Sequence, residues 1–313
     1  MATDMVVPEV HSFEQLIARA KERTSSSRPK AALAVPSAPE WLQAFDRAVK
    51  EKLVEPVVVG DETLFRKMTA ASGIELGNAE VIDINQPDAA FVTAAQIAAR
   101  GEVDLIIKGR GSMVDFLKLL LREETLFKVR GRLISHIAVM KPERYPKLLF
   151  LTDAGVVPWP DLETKLALVN NVAGFAAAAG VDSPRIAMLA AVEAIYLQMP
   201  VTTEAAVLAK MSDRGQIKGA LVDGPLSFDV AVDTVAAYSK GITNSEVAGQ
   251  ADAMVAPNIE TAIGVYRAMA LYGRAEVGGL LFGGRVPVAL ANRWDSVASR
   301  FHSIVLAVLA ATN

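Results

Sequence analysis

An α/β fold in two lobes, with mostly parallel sheets, is predicted by three features of this chain. Short apolar runs bounded by Gly, Pro or Asp alternate with longer amphipathic or alanine-rich segments, the pattern of βαβ units. There are about ten such runs, many for one small domain. The 313 residues, at roughly 150 per domain, also suggest two domains.

In chain order, the first predicted helix covers 12–21 and precedes a loop, RTSSSRP, at 23–29. Strand 31–35 (AALAV) stops at Pro36, and helix 41–52 follows. Strands 56–59 (PVVV) and 81–84 (VIDI) are short and β-branched. Helix 89–100 leads to strand 105–107 (LII), enclosed by Asp104 and Lys108-Gly109. In helix 113–121, Met113, Phe116, Leu117 and Leu120 fall at helical spacing and form a stripe that packs on a sheet. Strand 148–151 (LLFL) precedes helix 161–178, where the alanines at 176–179 permit close packing. Strand 186–189 precedes helix 203–211, strand 220–222 precedes helix 230–240, and strand 253–256 precedes helix 259–271. Strands 280–282 and 288–290 flank a Gly283-Gly284-Arg285 turn. Helix 296–311 opens behind a cap at Asp295 or Ser296. Lobe crossings are expected near 139–146 and 283–287.

Composition removes several function classes. The chain is 52% hydrophobic and 21% charged, enough apolar material for two cores. Its formal charge of −3 offers no basic surplus for nucleic acid or an anionic membrane. Without cysteine there is no disulfide, thiolate metal site or cysteine nucleophile, and His11, His136 and His302 lie too far apart in sequence to suggest a zinc site. No apolar run reaches about 18 residues, and the N-terminus meets charges too early for a secretory signal. The expectation is a soluble, cytoplasmic, metal-independent protein.

In parallel sheets, ligands bind beyond the carboxyl ends of the strands. The residues following the apolar runs are Lys108-Gly109, Thr152-Asp153, Glu193, Asp223-Gly224, Pro257-Asn258, Gly283-Gly284-Arg285 and Asn292-Arg293. Together Lys108, Arg285 and Arg293 suggest an anionic substrate. There is no Walker A loop, no G-x-G-x-x-G after a strand, no G-x-S-x-G elbow and no H-E-x-x-H. The Gly109-Arg110-Gly111-Ser112 loop offers N–H groups to phosphate, although an ordinary tight turn is the default reading. Lys128, Arg130 and Arg132 form a basic cluster just before Ser135-His136. In the last helix Ser296, Arg300 and Ser303 fall at i, i+4 and i+7, on one face. Ser296 and His302, six apart, face differently and make no nucleophile pair.

Seven stretches, taken in order, carry a resemblance: 101–109 (GEVDLIIKG), 134–139 (ISHIAV), 145–155 (YPKLLFLTDAG), 184–193 (PRIAMLAAVE), 210–229 (KMSDRGQIKGALVDGPLSFD), 240–252 (KGITNSEVAGQAD) and 293–304 (RWDSVASRFHSI). They resemble the phosphate acetyltransferase and phosphate butyryltransferase family, the butyryl branch more closely. The resemblance implies two α/β/α lobes of isocitrate/isopropylmalate dehydrogenase-like type. One comprises 1–138 plus 286–313. The other, 139–285, forms a homodimer, and an active cleft lies between the lobes. It implies reversible conversion of a short-chain acyl-CoA (acetyl to butyryl) plus inorganic phosphate into acyl phosphate plus CoA, by direct transfer in a ternary complex. CoA and phosphate are then substrates, with no permanently bound cofactor, and the product implies a downstream acyl kinase.

By the same resemblance Ser296 stands near the thiol and carbonyl, and Arg293, Arg130 and Arg132 contact phosphate. Ser303 occupies the position, seven residues on, where the acetyl branch carries an aspartate. Lys108, Gly109, Ser135, His136, Asp153, Asp223 and Arg300 complete the substrate-binding set, with Asp223 and Asp229 as braces. The chain departs from the family in Asn292 for serine, Ala262-Ile263 for Gly-Asn, and Met113 near an expected threonine. These departures keep open a non-catalytic acyl-CoA or acyl-phosphate binding protein. A nicotinamide-dependent 2-hydroxy acid dehydrogenase is a further alternative, lacking a recognisable metal-binding aspartate cluster.

Overall fold

The structure is a computed structural model and describes residues 10–76 and 78–312. In chain order its elements begin α1 (Phe13–Arg23), β1 (Lys30–Ala34), α2 (Pro39–Lys50), β2 (Glu55–Gly60), α3 (Glu62–Ser72), β3 (Glu80–Asp83) and α4 (Pro87–Ala99). Next come β4 (Leu105–Lys108), α5 (Met113–Leu120), β5 (Ser135–Lys141), β6 (Leu149–Thr152), α6 (Leu162–Ala179), β7 (Arg185–Leu189) and α7 (Pro200–Asp213). The last are β8 (Leu221–Leu226), α8 (Phe228–Val232), α9 (Thr234–Ser239), β9 (Ala253–Val255), α10 (Ile259–Leu271), β10 (Glu276–Phe282), β11 (Val288–Leu290) and α11 (Val297–Ala311).

The chain divides into two units. One holds Leu16–Ile137 and the residues from Val277 onward; the other holds Ala138–Glu276 and the described residues up to Gln15. In the first, the strands lie in the order β3-β2-β1-β4-β11-β10. All neighbouring pairs are parallel except β10–β11. In the second the order is β5-β6-β9-β7-β8, with only the β5–β6 pair antiparallel. Parallel strands need covering helices on both faces, which is why β1, β4 and β11 are apolar almost throughout and buried. α2 and α11 supply part of that cover: Phe45 and Phe301 are fully buried, and the Arg47 guanidinium lies 3.7 Å from the Phe301 ring.

Several elements differ from the sequence expectation. β5 continues to Lys141, into a stretch expected as a lobe crossing, because its apolar residues pair with β6. α3 has no counterpart in the sequence reading; Asp61 caps it through the Leu64 N–H, and only Phe65 and Thr69 on it are buried. The helix expected at 230–240 is two helices, broken at Asp233, whose carboxylate accepts from Val235 and Ala236. β8 extends through Asp223-Gly224-Pro225 to Leu226 rather than ending at Val222.

Candidate functional site

The turn joining β11 to α11 is built by side chains that face inward. Ser296 is the N-cap of α11, its Oγ accepting from the Ser299 N–H at 3.1 Å. Arg300, one turn later, is buried and reaches back beneath the turn. It donates to the carbonyl of Asp295 and to those of Arg293 (3.2 Å), Ser296 (3.3 Å) and Asn292 (3.4 Å). Its guanidinium carbon is 5.6 Å from the Trp41 ring. Burial lowers its pKa, while Glu40 and Asp295 act in the opposite sense. The Asp295 carboxylate accepts the Asn292 N–H at 2.7 Å. With the turn locked from below, Asn292, Arg293, Trp294 and Ser296 remain exposed.

Of the residues at i, i+4 and i+7, Ser296 is the exposed N-cap and Arg300 is buried. Ser303, the third of them, is fully buried. Its hydroxyl accepts from the Gly279 N–H at 3.0 Å and donates to the Ser299 carbonyl at 3.0 Å, joining α11 to β10.

At the carboxyl end of β4, Lys108 is 6% exposed and donates to the carbonyls of Gly111 (2.7 Å) and Gly109 (3.3 Å). Its ammonium nitrogen lies 5.9 Å from the Phe91 ring and 5.8 Å from the Phe116 ring. Burial, and next the charge of Arg293, push its pKa down to about 8. Close packing explains the glycine at 109, since a Cβ there would lie 2.2 Å from the Val35 carbonyl oxygen. The N–H groups of Gly109 and Arg110 are already bonded to the carbonyls of Ala34 and Val35. Two of the N–H groups that a phosphate cradle at 109–112 would need are therefore already used, in keeping with the tight turn that is the default reading.

Arg130 and Arg132 are exposed on the segment leading to β5, and Ser135, which opens that strand, is fully buried. His136 packs against Gly279, where a Cβ would lie 2.8 Å from Nε2. Burial pushes its pKa down to about 4, so the ring is neutral at physiological pH. His136 adds no positive charge to the site.

The other unit contains Asp153, Asp223 and Asp229. Asp153 is buried at the end of β6 and accepts from the N–H groups of Gly155 (2.6 Å) and Val156 (2.7 Å). Asp223 accepts from the Gly224 N–H and from the Ser245 hydroxyl, which ties the 245–248 turn to β8. Asp229 shares Lys240 with Glu193: the ammonium lies 3.0 Å from Asp229, 3.1 Å from Glu193 and 2.9 Å from the Ser227 hydroxyl. The hydrogen bonds from Ser227 and then Lys240 hold the Asp229 pKa down at about 2. Glu193 and Asp229 stand out in the sequence, whereas Ser227 and Lys240 do not, because the four meet only through folding. Of the departures, Met113 begins α5 behind the Ser112 cap, and Ala262 is buried in the first turn of α10.

Among the described residues, no group of three or more His, Asp or Glu side chains is placed to hold a metal ion. No described helix is long and apolar enough to cross a membrane. Residues 85–308 match the family model described as "Phosphate acetyl/butaryl transferase". The chain belongs to this family. Among phosphate acyltransferase relatives, the phosphate butyryltransferase of Clostridium beijerinckii is 37% identical over 96% of this chain and 98% of its own. The phosphate acetyltransferase of Thermotoga maritima is 35% identical over 90% and 94%. A branched-chain phosphotransacylase from Enterococcus faecalis V583 superposes with a TM-score of 0.78 at 28% identity, covering 90% of this chain and 99% of that one. A 4-hydroxythreonine-4-phosphate dehydrogenase from Klebsiella pneumoniae, at 15% identity and TM-score 0.52, shares the fold, with 90% and 99% covered. This phosphate acyltransferase family member thus has a dehydrogenase-like α/β fold.

Proposed function

We propose that this chain is a phosphate acyltransferase that moves a short acyl group, acetyl to butyryl, between CoA and inorganic phosphate. The observation that carries the reading is the turn locked by Arg300, which leaves Arg293 exposed at the junction of β11 and α11. A phosphate oxygen attacks the thioester carbonyl, the C–S bond breaks, and the thiolate leaves to take a proton, giving acyl phosphate and CoA. Positive charge from Arg293 and Lys108 suits a multiply charged oxyanion, and arginine's planar fork fits phosphate in two places at once. In this reading Arg293, Arg130 and Arg132 bind phosphate, and Lys108 contributes positive charge. Ser296 offers its hydroxyl to the thiol or carbonyl, while Arg300, Ser303, Ser135 and Gly109 hold these groups in place. His136 supports the backbone of the site, and Asp153 and Asp223 brace loops within the other unit.

Two finer parts belong to the same proposal. The unit containing Ala138–Glu276 exposes Ile195, Tyr196 and Leu197, with Leu197 84% exposed. Thr202 fixes this loop by accepting from the Tyr196 N–H (3.0 Å) and donating to the Tyr196 carbonyl (3.1 Å). A rigid apolar projection supports a homodimer through this unit; sedimentation equilibrium of wild type and Leu197→Asp tests it. The substrates favour the cytoplasm as compartment, and a kinase that passes the phosphoryl group to a nucleoside diphosphate is the class of enzyme that would consume the product. Phosphorus NMR of the protein with butyryl-CoA and phosphate tests the reaction. A new acyl-phosphate resonance supports it, and an unchanged spectrum with CoA still bound favours the binding-protein alternative.

A further inference from the structure

Arg285, in the turn between β10 and β11, spends its Nε–H on the carbonyl of Leu126 at 3.1 Å, and its backbone N–H on the carbonyl of Phe127 at 3.0 Å. Leu126 has φ of +54°, a left-handed conformation that a leucine keeps only where its surroundings enforce it. Phe127 is fully buried, and its ring fills the space that a side chain on Gly284 would take: a Cβ there would lie 2.3 Å from the Phe127 ring. Just beyond Phe127 comes the exposed basic segment carrying Arg130 and Arg132. The strained corner therefore sets where that segment leaves the fold, and Gly284-Arg285 holds the corner.

We propose that Gly284-Arg285 is a clasp, with Arg285 as a positioning residue that aims the Arg130–Arg132 segment at the phosphate. This rests on the reading that those two arginines bind phosphate. Its chemistry is that of a hydrogen-bond donor to backbone, so its loss weakens phosphate binding without removing a group that touches the reacting atoms.

The test measures kcat, KM for phosphate, KM for butyryl-CoA and Tm for wild type, Arg285→Ala, Arg285→Lys, Gly284→Ala and Arg130→Ala/Arg132→Ala. The clasp predicts that Arg285→Ala raises the phosphate KM about fivefold, the effect of one net hydrogen bond, with kcat and the butyryl-CoA KM within about twofold. Arg285→Lys, which keeps a donor, restores part of the loss. Gly284→Ala, which displaces Phe127 but leaves the Arg285 side chain intact, raises the phosphate KM in the same direction. If the double arginine variant raises the phosphate KM and Arg285→Ala does not, the clasp is refuted while the phosphate reading stands. An effect of Arg285→Ala with none from Gly284→Ala also overturns the clasp, since it marks Arg285 as a direct phosphate ligand. If the double variant leaves the phosphate KM unchanged, the assignment of Arg130 and Arg132 fails, and the clasp's purpose fails with it. A lowered Tm with unchanged KM values reduces Gly284-Arg285 to a stability device and refutes the proposal.

Discussion

The Arg300 guanidinium donates to the backbone carbonyl of Arg293 at 3.2 Å, so a buried arginine holds the turn that displays an exposed one. Carbonyl oxygens that converge on one point repel one another, and a delocalised cationic donor among them offsets that repulsion and fixes their arrangement. Arg300→Met leaves those carbonyls without their donor and is expected to lower stability by roughly 2–4 kcal/mol. Turnover per folded molecule should fall as well, because Arg293 loses its fixed position. Denaturant unfolding and activity on the same samples check both. Unchanged turnover per folded molecule separates the lock from the chemistry.

Arg293→Lys retains the charge and removes the planar fork. The expectation is a loss of turnover well beyond that of Arg100→Lys, a surface change at a residue paired with Glu102. Equal activities of Arg293→Lys and Arg100→Lys remove Arg293 from the phosphate site.

Lys108 carries a pH signature. Its pKa is lowered by burial, and then by Arg293, from 10.5 to about 8. Between these values the unfolded chain binds a proton that the folded chain does not, so this group's contribution to stability rises with pH from about 8 to 10.5. The same deprotonation removes a positive charge from the site, so the phosphate KM should increase above about pH 8. Lys108→Met should abolish both slopes, seen in unfolding and kinetic titrations.

His136 gives a second window of the same sign at lower pH. Its pKa is lowered by burial from 6.5 to about 4. Its contribution to stability is therefore full above pH 6.5 and is lost as pH falls to about 4. His136→Asn should flatten the stability profile over that range, and a pH–activity profile should show no step from His136 near neutrality.

Ser296→Ala removes an N-cap, worth about 1 kcal/mol. A matching drop in Tm with turnover per folded molecule unchanged assigns the hydroxyl to capping alone. A larger fall in turnover assigns it a contact with the substrate.

Much of the fold is legible in the sequence because apolar runs such as 31–35 and 105–107 are buried on both faces and allow no other placement. α3 is not, since Phe65 and Thr69 are its only buried residues and leave a faint period. β8 reads too short because Asp223-Gly224-Pro225 looks locally like a turn, while its pairing with β7 keeps it extended. At the site, the i, i+4, i+7 face of α11 is visible in the sequence, but its direction is not. Whether Arg300 and Ser303 face solvent or core depends on β10 and on Trp41, which lie far away along the chain. The Arg285–Leu126 bond, joining residues 159 positions apart, leaves no local trace at all.

Phosphate-dependent acyl transfer is read most simply from the release of free thiol from acetyl-, propionyl- and butyryl-CoA, with and without inorganic phosphate. The expected result is release that requires phosphate, with the three rates ranking the acyl chains. Equal release in its absence contradicts phosphate as the acyl acceptor, and no release from any of them, while acyl-CoA still raises the Tm, makes this chain a binding protein on an enzyme's fold.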